Sequence, residues 1–322
     1  ILGDKSLSNR PMNRISEPLK KMNAIIETTN GSLPLKIKKS KLINTEIDIK
    51  IPSAQIKSGL ILAALNTSGQ TKIIENSITR NHTEIMLEAF QAEISVKKEN
   101  KKSEIVINGK KELVSKDIDV PSDLSSSAFF IVAALINRNS KIRLENININ
   151  PTRIGILIAL KKMGAKISYL NKRYNNNEEV CDLEIESSSL NGCELDTDMP
   201  ELMIDEYPIL SIAASFANSP SIFRGLKELK VKESDRLNLI HTNLLRCGVD
   251  CKVIGDDLFI NPKEKYEIKN NIIKTDYDHR IAMSFAVMGS KIGQLEIEDS
   301  ESIKTSFPTF EREFNKIGGR IS

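Results

Sequence analysis

At 322 residues the chain is too long for one ordinary hydrophobic core, which sets two domains as the expectation. Its 40% hydrophobic and 28% charged residues are the composition of a soluble globular protein, and the longest wholly apolar run, 128–136, is far too short to span a membrane. A net charge of +3, with 5% aromatic residues and no Trp, gives no case for nucleic acid as a partner.

The opening residues, ILGDKSLSNRPMNRISEPL, read as the middle of a folded unit, and Ile1 is not a start methionine, so the natural beginning is expected upstream. Arg10 precedes Pro11, whose ring restricts the backbone before it and favours a rigidly presented guanidinium. From here two patterns interleave. One is an amphipathic helix that ends in a small or polar residue and runs into a short strand: EPLKKMNAIIET, IMLEAFQAEISV, LIALKKMGAKISY, NLLRCGVDCKV and EFNKIGGRIS. Its corresponding residues Asn23, Gln91, Gly164, Gly248 and Gly318 recur roughly every seventy to eighty residues. Glycine at three of these positions suits a left-handed helix C-cap. In the third copy Leu157, Ile158, Leu160 and Met163 are expected to face the core, with Lys161 and Lys162 turned away.

The second pattern is a helix apolar nearly all round, and therefore expected to be buried, within 51–66, 120–137, 203–218 and 275–289. Between the helices lie β-rich pieces such as EIDIKI, TKIIEN, EIVING, KIRLENINI, DLEIES and DLFINP. Two helices plus several strands per unit make this an α/β chain of repeated units. A boundary near Val120–Pro121 divides it into residues 1–120 and 121–322.

Each apolar helix begins with polar residues: Ser53 and Gln55, Asp123 and Ser125, Asp205 and Glu206, then Asp278, His279 and Arg280. A helix N-terminus carries unpaired N–H groups and positive potential, which favours anions. Asp123 and Ser125 are expected to serve as caps, whereas Gln55, His279 and Arg280 are not preferred caps and are candidates for a site. Thr79, Arg80 and His82 precede a further helix, and His82 is expected to be a surface or packing residue. In KVKESDRL, Lys232 and Arg236 share a helical face, with Arg236 a forked donor and Lys232 a point charge suited to phosphate. Glu233 beside them is a candidate for proton transfer, and a solvated helix start with local ion pairs is the alternative reading. Four cysteines form no disulfide framework in a chain of this size, and Cys247 and Cys251 have no His at ligand spacing. Collected, these residues describe a pocket for a polyanionic small molecule with proton transfer and without a metal.

The segments RPMNRISEPL, SAQIKSGLILAAL, the HTE of TRNHTE, DLSSSAFF, DEYPIL, LKVKESDRL, DHRIAM and TSFPTF resemble, in this order, successive motifs of the EPSP synthase (3-phosphoshikimate 1-carboxyvinyltransferase) family. The resemblance covers the chain from end to end. It implies six βαβαββ units in two inverse-barrel-like domains with the active site between them. Five units would be present here, two in residues 1–120 and three in 121–322. The implied reaction moves the enolpyruvyl group of phosphoenolpyruvate to the 5-hydroxyl of shikimate 3-phosphate, releasing phosphate, in the shikimate pathway to aromatic amino acids. It further implies a cytoplasmic monomer with no metal or organic cofactor and neither a nucleic-acid nor a membrane partner.

Residue by residue, the resemblance assigns Ser53, Gln55, Thr79, Arg80 and Lys232 to shikimate 3-phosphate. Arg10, Gln55, Arg236 and Arg280 fall to phosphoenolpyruvate, with His279 close by. Asp205 matches the carboxylate that takes the proton of the attacking hydroxyl, and also contacts shikimate 3-phosphate. Glu233 matches the carboxylate that serves the methylene. Glu301 stands where the family carries a lysine before TSFP, with Lys304 nearby. The first unit, with its lysine–serine–arginine motif, would be missing, so turnover by these residues alone is not expected. Two alternatives stay open. One is a UDP-N-acetylglucosamine 1-carboxyvinyltransferase, usually marked by a reactive loop cysteine; the other is a non-catalytic anion-binding fragment.

Overall fold

The computed structural model describes residues 1–3, 5–8 and 10–322. The chain divides into two compact units, residues 1–120 with 174–178, and residues 121–173 with 179–322.

The first unit opens with α1 (Lys5–Ser8), α2 (Asn13–Lys21) and an antiparallel hairpin of β1 (Ile25–Thr29) and β2 (Ser32–Lys38). A complete βαβαββ repeat follows: β3 (Glu46–Ile49), α3 (Ala54–Ala64), β4 (Gly69–Glu75), α4 (His82–Ala89), β5 (Ile94–Glu99) and β6 (Lys102–Gly109). The sheet order is β3-β4-β6-β5, with the first pair parallel and the others antiparallel. Strand alternation turns Ile47 and Ile49, Thr71, Ile73 and Glu75, and Ser103, Ile105 and Ile107 to one buried face. Onto it α3 lays Ile56, Leu60, Ile61 and Ala64, the i, i+4, i+5, i+8 stripe of an amphipathic helix. Truncating fully buried Leu60 to Ala removes about 2–5 kcal/mol from this core. The expected all-round burial does not hold for this helix, since Leu62 is 53% exposed on the face turned away from the sheet.

The second unit repeats the same topology. After a parallel bridge of Ser122 to Ile147 come α5 (Leu124–Ile136), β7 (Lys141–Asn148), α6 (Gly155–Lys162), β8 (Lys166–Asn175) and β9 (Glu178–Glu186). They form a sheet of order β7-β9-β8. The next copy holds β10 (Glu194–Leu195), α7 (Met199–Met203), α8 (Tyr207–Ser215), β11 (Ser221–Phe223), α9 (Arg236–Arg246), β12 (Asp250–Ile254) and β13 (Asp257–Asn261). Its sheet order, β10-β11-β13-β12, and its parallel-then-antiparallel pairing match the first unit's sheet. The parallel pair β14 (Ile272–Ile273) and β15 (Glu296–Ile297), linked by α10 (His279–Ile292), begins a further copy that runs into α11 (Phe310–Lys316).

Helices α5, α8 and α10 pack on one another at the centre of this unit, and every residue of α5 except Ser126 is buried. The TSFPTF segment serves that core. Phe307 and Phe310 lie 5.9 and 5.7 Å from Phe130, and Phe314 stacks on Phe310 at 5.4 Å. All five tail residues, Asn23, Gln91, Gly164, Gly248 and Gly318, have positive φ. The left-handed turn therefore persists where the side chain is Asn or Gln. One expectation about α6 is corrected: Ile158 is 42% exposed, because it lies three and four residues before Lys161 and Lys162 and shares their outer face.

Candidate active site

In the second unit the turns before α8, α9 and α10 carry the charged motifs. Asp235 caps α9 by accepting from the Asn238 N–H at 3.0 Å, which sets Arg236 at the first helical position, fully buried. Asp278 caps α10 by accepting from the Arg280 N–H at 2.9 Å, and it is itself fully buried. With its other oxygen Asp278 accepts from Arg236 Nε at 2.8 Å and from the Ser234 hydroxyl at 2.9 Å. Arg236 Nη1 donates to Asp205 Oδ1 at 3.0 Å, and Lys232 Nζ reaches the same oxygen at 3.1 Å. Glu233 Oε2 lies 2.6 Å from Arg236 Nη2, an ion pair without hydrogen-bond alignment, so the Nη2 protons remain buried without an aligned acceptor. Arg280 donates to the Ser125 hydroxyl at 2.7 Å and to the Asp205 carbonyl at 3.3 Å. The motifs KESDR, DEY and DHR thus converge, and solvated helix starts do not describe them.

Burial opposes the charge of Arg236, yet Asp278, Glu233 and Asp205 outweigh it and hold the guanidinium pKa above its ordinary value. Asp205 Oδ1 thus meets two cations, Lys232 and Arg236. Burial pushes the His279 pKa below its ordinary value of 6.5, so its imidazole is neutral at pH 7. Asp123 is the cap expected of it, accepting from the Ser126 N–H at 2.8 Å. Burial opposes its charge, but Arg153 and the Ser126 bonds prevail and lower its pKa. Ser125, expected to be a cap, is instead the acceptor for Arg280, because the cap position two residues earlier is already filled by Asp123. Glu301 and Lys304 are both exposed, on the 3₁₀ turn Ser300–Thr305.

In the first unit Ser53 is the N-cap of α3, accepting from the Ile56 N–H at 3.4 Å and donating to Gln55 Oε1 at 3.1 Å. Gln55 is exposed beside it. Arg10 is half-buried just before α2, and Arg80 is half-buried on the loop before α4. Thr79 is buried and its hydroxyl donates inward to Glu75 Oε2 at 2.9 Å. His82 Nδ1 pairs with Glu178 Oε1 at 2.6 Å. Sequence reasoning missed Asp278 as the acid behind Arg236, and Arg153, which reaches Asp123 at 3.3 Å and Glu206 at 3.9 Å. It also missed Lys57, whose signal was a charge on the buried stripe of α3.

The EPSP synthase (3-phosphoshikimate 1-carboxyvinyltransferase) family matches residues 1–314. The 3-phosphoshikimate 1-carboxyvinyltransferase of Bartonella quintana (strain Toulouse) is 42% identical over 327 residues, taking in all of this chain and 74% of the relative. That of Ruthia magnifica subsp. Calyptogena magnifica is 43% identical over 324 residues, with 73% of the relative covered. Among solved structures, an EPSP synthase from Acinetobacter baumannii superposes with a TM-score of 0.85 at 40% identity, covering all of this chain and 74% of that one. The βαβαββ repeats and the converging KESDR, DEY and DHR motifs therefore carry a name: this chain belongs to the EPSP synthase family.

Proposed function

We propose that the protein transfers the enolpyruvyl group of phosphoenolpyruvate to the 5-hydroxyl of shikimate 3-phosphate and releases inorganic phosphate, as a cytoplasmic monomer. The observation that carries this reading is the cluster of Lys232, Glu233, Arg236, Asp205, Asp278 and Arg280, a set of cations and acids held in place by two helix caps.

The substrates bring two phosphates and carboxylates, which calls for fixed cations. Arg236 and Arg280 hold phosphoenolpyruvate together with Arg10, as fixed guanidinium donors for its phosphate and carboxylate. Lys232, Ser53, Gln55 and Arg80 hold shikimate 3-phosphate, with Gln55 touching both ligands. Thr79, whose hydroxyl is engaged by Glu75, serves by shaping the loop that carries Arg80. Glu233 delivers a proton to the methylene carbon, and the neighbouring carbon takes the attack of the 5-hydroxyl. The hydroxyl proton passes to Asp205, which the Lys232 and Arg236 contacts hold in place. The tetrahedral adduct then loses a methyl proton and its phosphate, restoring the double bond and giving the enolpyruvyl ether. His279, neutral beside Glu233 and Arg280, is the third group near this proton traffic. General acid–base steps of this kind contribute about 10²–10⁴-fold each.

Thiol chemistry of the UDP-N-acetylglucosamine type finds no support. Burial raises Cys181 and Cys193 to about 11 and Cys247 and Cys251 to about 12, so none is a thiolate at neutral pH. Titration calorimetry with shikimate 3-phosphate tests the ligand assignment: binding is expected, and Lys232→Ala weakens it by about ten-fold or more, the loss of one charge-assisted contact. Unchanged affinity in that variant would contradict the assignment.

A further inference from the structure

Strand alternation points Glu75, the last residue of β4, into the core beneath α3, opposite Ser103 in the register of β6. A carboxylate at that depth needs a partner, and Lys57, on the buried stripe of α3, supplies it. Lys57 Nζ lies 3.0 Å from Glu75 Oε1, 2.8 Å from Glu84 Oε1 in the first turn of α4, and 3.3 Å from the Thr79 carbonyl. Glu75 and the Thr79 carbonyl accept hydrogen bonds from the ammonium, and Glu84 pairs with its charge. Glu75 Oε1 also accepts from Ser103 at 2.7 Å, while its Oε2 accepts from the Thr79 N–H and hydroxyl at 3.3 and 2.9 Å. Lys57, Glu75 and Glu84 are all at least 96% buried by side chain. A second tie joins the two helices, the Ser58 and Thr83 hydroxyls at 2.7 Å.

Buried ion clusters contribute little to stability relative to well-packed apolar side chains of the same volume, because desolvation offsets the Coulomb gain. What this cluster does supply is direction. One ammonium and one carboxylate clamp both the N–H and the C=O of Thr79, the residue before Arg80. The same ammonium is anchored on the helix turn that presents Ser53 and Gln55. We infer that Lys57, Glu75 and Glu84 are positioning residues that fix the 76–81 loop against the start of α3, and so hold Ser53, Gln55 and Arg80 in register for shikimate 3-phosphate. This rests on the ligand assignment proposed above.

Lys57→Met alone leaves two carboxylates buried without their cation and is expected to unfold the unit. The informative variant is therefore Lys57→Met/Glu75→Met/Glu84→Met, which removes all three charges at similar volume and is expected to keep a cooperative thermal transition. Steady-state kinetics of the intact protein carrying these changes, with each substrate varied in turn, are expected to show KM for shikimate 3-phosphate raised about ten-fold or more. KM for phosphoenolpyruvate is expected to stay within about two-fold. A folded triple variant with both KM values unchanged, or both raised equally, overturns the inference. A wild-type protein that does not use shikimate 3-phosphate contradicts the proposed function itself, and with it the role given to this cluster.

Discussion

Arg236 and Asp278 form a pair with almost no solvent access: Nε donates to Oδ2 at 2.8 Å, and the side chains are 1% and 0% exposed. The pair joins the first turn of α9 to the cap of α10, so the KESDR and DHR motifs are held as one rigid piece. Removing one partner of such a pair leaves the other charge buried. Asp278→Ala is expected to lower stability by about 3–5 kcal/mol, read as a shift of the urea midpoint. An unshifted midpoint would show that the pair is not a structural joint.

Ser125 is fully buried and accepts from Arg280 Nη1 at 2.7 Å. Ser125→Ala removes that bond but not the cap, which belongs to Asp123. The expected result is a several-fold rise in KM for phosphoenolpyruvate, in line with a loss of about 1 kcal/mol, and a small change in thermal midpoint. An unchanged KM would remove Ser125 from the site.

His279 carries a pKa lowered from 6.5, chiefly by burial; Asp278 and Glu233 act against the shift, and Arg280 and Arg236 add to it. Its unfolded form therefore binds a proton more readily than its folded form. The stability linked to the neutral imidazole is complete above about pH 6.5 and is lost as pH falls through the lower folded value. Urea midpoints measured from about pH 7.5 down to about pH 5.5 should fall more steeply for wild type than for His279→Gln. Parallel curves would assign the acid sensitivity to other groups.

Gly248 ends α9 at φ +83°, and a Cβ there would lie 2.3 Å from the Glu267 carbonyl oxygen. Gly248→Ala adds both backbone strain and a clash with main chain. A loss of about 2 kcal/mol or more is expected in thermal or urea denaturation. Gly318→Ala, at φ +101° with open space around the added methyl, should cost only the strain.

These positions also show what was legible in the sequence. The tails of the five copies could be aligned because a helix that stops and reverses needs a left-handed residue, and Gly, Asn and Gln occupy that place at intervals of roughly seventy to eighty residues. The strands, the α/β repeat and the near-complete burial of α5 followed from periodicity, whereas Leu62 of α3 and Ile158 of α6 are exposed. The partners of the charges did not. Lys57 meets Glu75 and Glu84 across 18 and 27 residues, and Arg236 meets Asp278 across 42. Nothing in local spacing specifies such pairings; they arise when strand register and helix packing turn two charges to the same buried point. Ser125 was misread for the same reason, since a serine in a first turn looks like a cap until the guanidinium that occupies it is seen.

The most direct measurement is phosphate release from phosphoenolpyruvate by the intact protein, with candidate acceptors supplied one at a time. The account predicts release that depends on shikimate 3-phosphate, abolished by Asp205→Asn and absent with UDP-N-acetylglucosamine. Release driven by UDP-N-acetylglucosamine, or by water alone at the same rate with and without shikimate 3-phosphate, would contradict it.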